Sequence, residues 1–306
     1  MNNKNWTVSN ITDQTGKTIL ITGANSGLGL EAAKVLSKKG GNIIMAVRNP
    51  EKGKEAAARI MSDHPNAKLE MMLLDLADLN SVLKFSDEFH ARYSRLHILI
   101  NNAGIMYPVK REVTKQNFEI QFGTNHLGHF ALTGLLLDII KATPQSRVVT
   151  QSSIMHKVKA DIHLDDLNWE KSYNKVKAYS QSKLANLLFT YELDRQFKIH
   201  QIDAISVAAH PGYTDINLQK TSGFSVNIIN KLIGQKVEMG TLPLLRAATE
   251  DHLFGAEYFG PTKMGELRGY PEKVNSSDKS YDTQLAKDLW AISVKMSGVH
   301  FNFQQE

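Results

Sequence analysis

Short apolar runs alternate with stretches of helical periodicity through the first 210 residues of the chain. Apolar runs of five to seven residues predict buried strands, while apolar residues spaced three and four apart predict one face of a helix. The pattern predicts strands at Lys17–Thr22, Asn42–Val47, Leu69–Leu74, Leu96–Asn101, Arg147–Gln151 and Ile202–Ala208. It predicts helices at Leu28–Lys39, Pro50–Met61, Leu79–Tyr93, Val113–Ala142, Ala178–Phe197 and Ser280–Ser297.

This alternation predicts a parallel sheet with right-handed crossovers and helices on both of its faces. We therefore expect an α/β fold with one doubly wound sheet, in a single domain over residues 1–306. After Pro211 the pattern weakens, and Gly, Ser and Asn cluster in Thr221–Asn230. We expect a substrate lid at about 213–239 and a C-terminal extension at about 255–306.

Composition narrows the possible chemistry. The chain has 306 residues, 42% of them apolar, which is enough for a large buried core. It contains no cysteine, so disulfides, thiolate zinc sites and a cysteine nucleophile are excluded. The net charge is +5, but the lysines are scattered and form no basic stripe interleaved with aromatic residues. We expect a small-molecule substrate and no nucleic-acid partner.

No segment has the pattern of a membrane span or a secretory signal. The N-terminal stretch before Lys17 is polar and lacks an apolar core. The most apolar stretch, Leu127–Ile140, contains His129 and Asp138 and is too short to cross a bilayer. We expect a buried helix there, no transmembrane anchor and a cytoplasmic location.

A glycine-rich turn, Thr22–Gly29 (TGANSGLG), follows the first predicted strand and opens the first helix. Its three glycines are more than a plain strand-to-helix turn needs, and free N–H groups at a helix start attract a pyrophosphate. We expect a dinucleotide site formed by Gly23, Asn25, Ser26, Gly27, Leu28 and Gly29. The spacing differs from the commonest fingerprint, because three residues rather than one separate Gly23 from Gly27.

The end of the second predicted strand bears on the choice of cofactor. In NAD-binding sheets an acidic residue at this point binds the ribose 2′-hydroxyl. Here the strand ends in Val47 and Arg48, with no acid in place. The planar guanidinium of Arg48 suits the 2′-phosphate of NADP, whereas the alternative is a solvated arginine on a loop. We expect NADP(H).

Two further strand ends should face the same crevice, because ligands of such sheets bind beyond the carboxyl ends of the strands. Asp75 and Leu76 follow the third strand, and Asn102, Ala103 and Gly104 follow the fourth. Asp75 is suited to accept a hydrogen bond from an adenine amino group. A helix N-cap is an equally compatible role for it.

Tyr179 and Lys183 are four residues apart at the start of a predicted helix and so share one face. A tyrosine needs its pKa lowered by about three units, roughly 4 kcal/mol, to act as a base near neutrality. One positive charge at about 4 Å supplies that much at an effective dielectric constant near 20. Lys183 is therefore a sufficient activator, although such a pair alone is also typical of an exposed helix.

Ser152 and Ser153 lie just past the fifth predicted strand. A hydroxyl at this point can hold a substrate oxygen, and the segment lacks the glycine elbow of a hydrolase nucleophile. Because side chains alternate along a strand, one of the two faces the site. Chemistry alone does not choose between them.

In combination, these motifs resemble the short-chain dehydrogenase/reductase family over about two thirds of the chain, from about Lys17 to Asn217. The residues that carry the resemblance are Thr22–Gly29, Asn101–Gly104, Asn125, Ser153, Tyr179 and Lys183, in the family's order. Thr124–Phe130, Val47-Arg48 and Glu257–Val274 are similar to the retinol dehydrogenase-like branch. The resemblance implies a Rossmann-type sheet and an enzyme that interconverts an alcohol and a carbonyl by direct hydride transfer with NADP(H).

The resemblance also implies a role for each catalytic-type residue. Tyr179 is the implied proton donor and acceptor, and Ser153, the second serine, binds the reacting oxygen of the substrate. Lys183 lowers the pKa of the tyrosine and holds the nicotinamide ribose. Asn125 continues a proton relay to water. The helix around Asn125 can form a dimer face in the family, so a homodimer is possible.

The family pattern is matched at Pro211 and Gly212 but not further on. Ile216 stands where a threonine often helps to hold the cofactor carboxamide, and Thr214 is the available substitute. The expected lid offers apolar residues that suit a lipophilic aldehyde or ketone or that simply pack the lid: Phe224, Val226, Ile228, Ile229, Leu232 and Ile233.

Other functions are less consistent with the sequence. A catalytically weak NADP-binding sensor or interaction module would be expected to lack Tyr179 or Lys183, and both are present. A light-dependent protochlorophyllide reductase shares the motifs but relies on a cysteine. The histidines lack the pairing with an acid that zinc peptidases show, so no metal site is expected at His126, His129, His156 or His210.

Overall fold

The computed structural model describes residues 5–214 and 234–304 of the chain. Within these ranges the strands are β1 Thr18–Thr22, β2 Asn42–Val47, β3 Lys68–Leu73, β4 Ile98–Asn101, β5 Ser146–Gln151, β6 Ala204–Ala209, β7 Tyr258–Lys263 and β8 Arg268–Lys273. They form one sheet in the order β3-β2-β1-β4-β5-β6-β7-β8. All neighbouring pairs are parallel except β7 and β8.

The helices of the described residues cover both faces of the sheet. They are α1 Gly27–Lys38, α2 Pro50–Asp63, α3 Leu79–Arg92, α4 Ile120–Phe122, α5 Gly128–Leu135, α6 Leu137–Ala142, α7 Lys175–Ile199, α8 Val237–Thr249 and α9 Thr283–Ser297. The doubly wound α/β sheet predicted from the sequence is confirmed. The strand order reverses between β1 and β4, and a crevice opens at the carboxyl ends of strands at such a point.

Two apolar layers hold the helices on the sheet. On one face, α3 and α5 bury Phe85, Phe89 and Phe130 against β1 and β4. On the other, α1 and α8 bury Leu36 and Leu245. Burying each such side chain stabilises the fold by about 1.5–3 kcal/mol, so the carboxyl ends of the strands are held by a rigid support.

The predicted helix Val113–Ala142 is wrong for its first seven residues and is interrupted later. Val113 pairs with Glu119 in an isolated antiparallel bridge, because Asn117 adopts a left-handed turn at φ 64°. Helical structure begins at α4, continues through a π-helical segment at Gly123–Leu127 and breaks again at Leu136. The spacing of apolar residues correctly indicated that this segment is buried, but it did not predict where the helix is interrupted.

The sequence did not predict α8, β7 or β8. Gly240 and Pro243 lie inside α8, and Gly260 and Pro261 lie in β7; these residues have low propensity for the structures they adopt. Tertiary packing overrides that propensity. A Cβ at Gly260 would overlap the buried ring of His210, so β7 can pass there only with glycine.

The helix α9 packs on the face formed by α5 and α7. The Trp290 ring lies 5.0 Å from that of Phe130 and stacks at 5.7 Å on that of Phe189. A short 3-10 turn at Asp278–Tyr281 precedes α9, where the sequence predicted one helix from Ser280. Within the described residues the chain itself covers part of this face, and dimerisation stays a prediction.

Most of the expected lid, including Ile216 and the apolar residues from Phe224 to Ile233, lies outside the described residues. Its two ends are described. Thr214 and Gln235 form an isolated parallel bridge, so the chain leaves and re-enters the described structure at neighbouring points. In the described ranges, no helix combines the length and apolar composition needed to cross a bilayer.

Candidate active site

A cleft with a volume of about 510 Å³ runs across the carboxyl ends of the strands. The predicted site residues that line it are Gly23, Asn25, Ser26, Gly27, Leu28, Arg48, Asp75, Leu76, Asn102, Ala103, Gly104, Ser153, Tyr179, Lys183 and Pro211. Gly29, Asn125, Gly212 and Thr214 are not among its lining residues. Gly29, Asn125 and Thr214 contact residues that line it, and Gly212 directly follows Pro211. The structure therefore places all these residues at one edge of the sheet.

The glycine turn at one end of the cleft fits a dinucleotide pyrophosphate. Gly23 and Gly27 adopt left-handed conformations at φ 68° and 54°. A Cβ at Gly29 would lie 2.5 Å from the Gly23 carbonyl oxygen, so the turn closes this tightly only with glycine. Ser26 precedes α1 without capping it through its side chain, which leaves first-turn N–H groups for an anion.

Thr22 connects this turn to the β4 turn and, through His129, to the backbone of Asn125. Its hydroxyl accepts the backbone N–H groups of Asn102 and Ala103, each at 2.9 Å. It lies 2.8 Å from Nε2 of His129, whose Nδ1 lies 3.0 Å from the Asn125 carbonyl oxygen. Because a carbonyl only accepts, Nδ1 carries the hydrogen and Thr22 donates to Nε2. Burial lowers the pKa of His129 to about 4, which keeps the ring neutral.

Three polar residues line the cleft at the end of β2. Arg48 is exposed there, together with Asn49 and Lys52. Asn49 caps α2 by accepting the backbone N–H of Lys52 at 3.0 Å. The sequence prediction named Arg48 and missed Lys52, although Lys52 lies one helical turn beyond it.

Asp75 lines the cleft beside Leu74 and Leu76. Its carboxylate accepts the backbone N–H of Ala77 at 3.0 Å and closes a turn before α3. The cap of α3 is Asp78, which accepts from Asn80, so the alternative of Asp75 as a helix N-cap is wrong by three residues.

The structure separates Ser152 from Ser153. Ser152 is buried, and its hydroxyl donates to the Lys183 carbonyl oxygen at 2.9 Å. Ser153 begins a 3-10 turn at Ile154–Lys157, and its hydroxyl contacts that of Tyr179. Ser152 thus contacts α7 through a backbone carbonyl, while Ser153 faces the phenol of Tyr179.

Tyr179 lies in the first turns of α7 with 8% of its surface exposed. Burial raises the pKa of its phenol above the ordinary value, partly offset by the hydrogen bond with Ser153 and reinforced by Tyr107. Nζ of Lys183 lies 5.7 Å from the centroid of the phenol ring. Burial is the largest influence on this pKa in the structure, and the lowering of the pKa by Lys183 stays a prediction.

Lys183 is buried one turn further along α7. Its ammonium donates to the Gln151 carbonyl oxygen at 3.0 Å, and burial lowers its pKa to about 8. Asn186 donates to the same carbonyl at 3.1 Å. The end of β5 thereby fixes the side chain against the cleft floor.

Asn125 lies in the π-helical segment, a rare geometry that is frequent at functional sites. Its Oδ1 accepts the N–H of Ile105 at 2.7 Å, and its Nδ2 donates to the Ile105 carbonyl and to Ser182, both at 3.0 Å. Both Nδ2 hydrogens are therefore used. Among the side-chain atoms of Asn125, Oδ1 therefore keeps the one lone pair that a water relay could use.

The end of the cleft that contains Ser153, Tyr179 and Lys183, named here the reaction end, has apolar walls. Ile105 and Met106 line it on the β4 side, and Pro211 lines it on the β6 side. The ring of Tyr107 meets that of Tyr179 edge-on, with centroids 5.2 Å apart. Tyr107 adopts a left-handed φ of 55°, and its N–H donates to Gln121 at 2.8 Å. No sequence motif pointed to Tyr107.

The turn after β6 is held by internal hydrogen bonds. The Thr214 hydroxyl donates to the Pro211 carbonyl at 2.7 Å, and Nε2 of Gln235 donates to the same oxygen at 2.7 Å. Gly212 adopts φ 64°. Within the described residues, Thr214 thus supports the turn rather than lining the cleft.

Each of the four histidines considered as metal ligands has another partner. His126 contacts Ser293, His129 contacts Thr22, and His156 contacts the Ser153 carbonyl. His210 accepts the N–H of Gly212. Among the described residues, no three His, Asp or Glu side chains are grouped as metal ligands.

The fold and the cleft together define a dinucleotide-binding oxidoreductase, and comparison with known proteins agrees. A family model described as short chain dehydrogenase matches residues 17–224. The chain belongs to the short-chain dehydrogenase family, whose members use NAD(P). It is 39% identical to human retinol dehydrogenase 13 over 93% of this chain and 85% of that protein. It is 34% identical to a chloroplastic short-chain dehydrogenase, TIC 32 B of Brassica napus, over 91% of this chain and 88% of that protein.

Solved structures show the same fold. An uncharacterized protein from Mycobacterium paratuberculosis is 39% identical, with a TM-score of 0.83, and 98% of this chain and 100% of that chain are covered. The Pseudomonas aeruginosa RhlG/NADP active-site complex is 17% identical, with a TM-score of 0.64 over 80% of this chain and 94% of that chain. At that identity the likeness concerns the fold alone.

Proposed function

We propose that the protein is an NADP(H)-dependent oxidoreductase that interconverts an alcohol and a carbonyl, with a lipophilic aldehyde or ketone as the carbonyl partner. The observation that carries this proposal is the meeting of Tyr179, Ser153 and Lys183 at the far end of a cleft that begins at the glycine turn. Apolar walls at Ile105, Met106 and Pro211 support a lipophilic substrate.

NADP is favoured over NAD by the charges at the end of β2. Arg48 and Lys52 line the cleft there. Within the described part of the chain, Asp75 at the end of β3 is the one acidic residue that lines the cleft. A 2′-phosphate would therefore meet two cations, whereas a bare ribose would lack the acidic partner that NAD-binding sheets supply.

Each residue of the reaction end has a distinct task in the proposed mechanism. NADPH, when bound, supplies the hydride. Ser153 holds the carbonyl oxygen, and Tyr179 donates its phenolic proton to it. Because burial raises the pKa of Tyr179, the phenol is protonated at neutral pH and ready for the reductive direction.

Lys183 and Asn125 support this proton transfer. The ammonium of Lys183 favours the phenolate left after donation and binds the nicotinamide ribose. Asn125 holds the Ile105 backbone beside the reacting groups through its two hydrogen bonds to it. For the oxidative direction, the positive charge of an oxidised nicotinamide would add to that of Lys183 in lowering the pKa of Tyr179.

The test is NADPH consumption with a panel of aldehydes, ketones and quinones that includes a retinoid aldehyde. Tyr179→Phe should reduce kcat by about a thousandfold or more, the range of a lost general acid, with an unchanged Kd for NADPH. Tyr191→Phe is the matched control, because Tyr191 lies on the same helix and bonds Ser276 instead. Full activity in Tyr179→Phe would refute the mechanism. NADPH binding without turnover of any compound would indicate a sensor.

A further inference from the structure

Three segments that are distant in the sequence meet behind the reaction end of the cleft. Lys157 closes the 3-10 turn that begins after Ser153, and His210 directly follows β6 and precedes Pro211. Glu266 lies in the turn between β7 and β8. Its carboxylate lies 2.7 Å from Nζ of Lys157 and 3.2 Å from Nε2 of His210.

The protonation of His210 follows from its other contact. The ring is fully buried, and its Nδ1 accepts the N–H of Gly212 at 3.3 Å. Burial lowers the pKa of His210, so the ring is neutral and its hydrogen lies on Nε2, towards Glu266. The alignment of Nε2 with the carboxylate falls outside that of a hydrogen bond, so the contact is mainly electrostatic. Glu266 thereby favours the His210 tautomer with its hydrogen on Nε2, in which Nδ1 is free to accept the N–H of Gly212.

The same hairpin turn also contacts the segment from Pro211 to Tyr213 directly. The N–H of Tyr213 donates to the Leu267 carbonyl at 2.8 Å, and a Cβ at Gly212 would overlap that carbonyl. Gly269 donates to Gln235, the residue that binds the Pro211 carbonyl. The turn after β6 is therefore shaped by the hairpin and not by its own sequence alone.

The hairpin turn adopts an unfavourable backbone conformation to make these contacts. Met264, Gly265 and Glu266 are consecutive left-handed residues at φ 54°, 65° and 65°. Such φ values are uncommon for residues other than glycine and persist where surrounding contacts enforce them. Lys157 and His210 also hold the pKa of Glu266 at about 2, so the carboxylate is charged throughout the neutral range.

We propose that Glu266 is a positioning residue that fixes the Ser153 turn and the Pro211–Gly212 turn relative to each other at the reaction end of the cleft. This inference rests on the proposed function, since these two turns flank the substrate oxygen and the nicotinamide. It predicts that Glu266 affects the nicotinamide half of the cofactor site and leaves the half at Arg48 unchanged.

The experiment compares Glu266→Gln with Glu272→Gln, an exposed carboxylate of β8 that lies 3.4 Å from Arg246 and outside the cleft. We expect kcat of Glu266→Gln to fall by about 10- to 100-fold, the effect of a small displacement of reacting groups. The fluorescence of bound NADPH should decrease, whereas the Kd for adenosine 2′,5′-bisphosphate, a probe of the other half, should not change. Glu266→Asp, which keeps the charge, should recover part of kcat.

The opposite results would overturn the proposal. If kcat and NADPH fluorescence of Glu266→Gln match those of Glu272→Gln, the ion pair is merely structural, even if the melting temperature falls. If Glu266→Gln does not fold, Lys157→Gln is measured instead. We expect a smaller decrease of kcat and of NADPH fluorescence in that variant, and the absence of any decrease would overturn the proposal. The fluorescence comparison needs no turnover, so it tests Glu266 even if every carbonyl fails as a substrate.

Discussion

The two ends of the cleft are built in different ways. The glycine-turn end is formed by backbone from one short stretch, Gly23–Gly29, and from the adjoining β4 turn at Asn102. The tight shape of this turn requires residues without a Cβ, as the close approach of Gly29 to the Gly23 carbonyl shows. The reaction end is formed by side chains from the segments after β4, β5 and β6 and from α7, with the π-helical segment behind them.

The groups at the two ends also differ in their electrostatics. Tyr179 and Lys183 are buried, and burial shifts the pKa of each towards its neutral form. Arg48 is exposed and remains charged. Cofactor binding at the glycine-turn end should therefore respond to steric changes at every pH, while the reaction end should respond to pH and to distant contacts.

The largest expected effect concerns the steric fit of the cofactor at the glycine-turn end. Gly29→Ala should raise the Kd values for both NADPH and NADH by about a hundredfold or more, equivalent to about 2.7 kcal/mol, because the new Cβ cannot fit beside the Gly23 carbonyl. Fluorescence titration at pH 6.5 to 8.5 measures this, and the loss should not vary with pH.

Gly298→Ala provides the control for a general loss of stability. Gly298 ends α9 at φ 70° with open space around it, so alanine there should cost about 1 kcal/mol of folding free energy without changing either Kd. A Gly29→Ala protein that still binds NADPH as tightly as this control would show that the turn is not a cofactor cradle.

A smaller effect separates the two cofactors. Arg48→Ala should raise the Kd for NADPH by about 10- to 100-fold, the loss of a hydrogen bond to a charged group, and leave that for NADH nearly unchanged. Arg59→Ala, an exposed arginine on α2 paired with Glu55, is the matched control. Equal losses for NADPH and NADH would contradict the assignment of NADP.

The smallest effect concerns pH at the reaction end. Because burial lowers the pKa of Lys183 to about 8, its ammonium is present below pH 8 and is lost above it. The Kd for NADPH should be flat below that pKa and rise by up to about tenfold above it, the loss of one hydrogen bond from a charged group. Lys183→Arg, which stays charged, should abolish the rise. A rise that persists in Lys183→Arg would assign the titration to another group.

Part of the site could be predicted from the sequence because its signals are local. The turn Thr22–Gly29 and the pair Tyr179 and Lys183 each lie within one strand–turn–helix or one helix, so spacing alone places them. The alternation of apolar runs likewise predicted the doubly wound sheet, since strand and helix periodicities are properties of short segments.

Other features depend on contacts between residues far apart in the chain. Ser152 and Ser153 are distinguished by their different contacts with α7, a helix that lies more than twenty residues further along the chain. The contact of Glu266 with Lys157 and His210 exists only when β7 and β8 have joined the sheet. The pKa of Tyr179 is set by burial, which a spacing of four residues does not report.

The sequence by itself determined the alternation of strands and helices over the first 210 residues and the position of the glycine turn, because these follow from local periodicity and backbone freedom. Only the tertiary structure decided the breaks in the Val113–Ala142 segment, the covering of α5 and α7 by α9, and the network behind Pro211. These features are set by packing and electrostatic contacts between distant segments, whose energies have no counterpart in any one stretch of sequence.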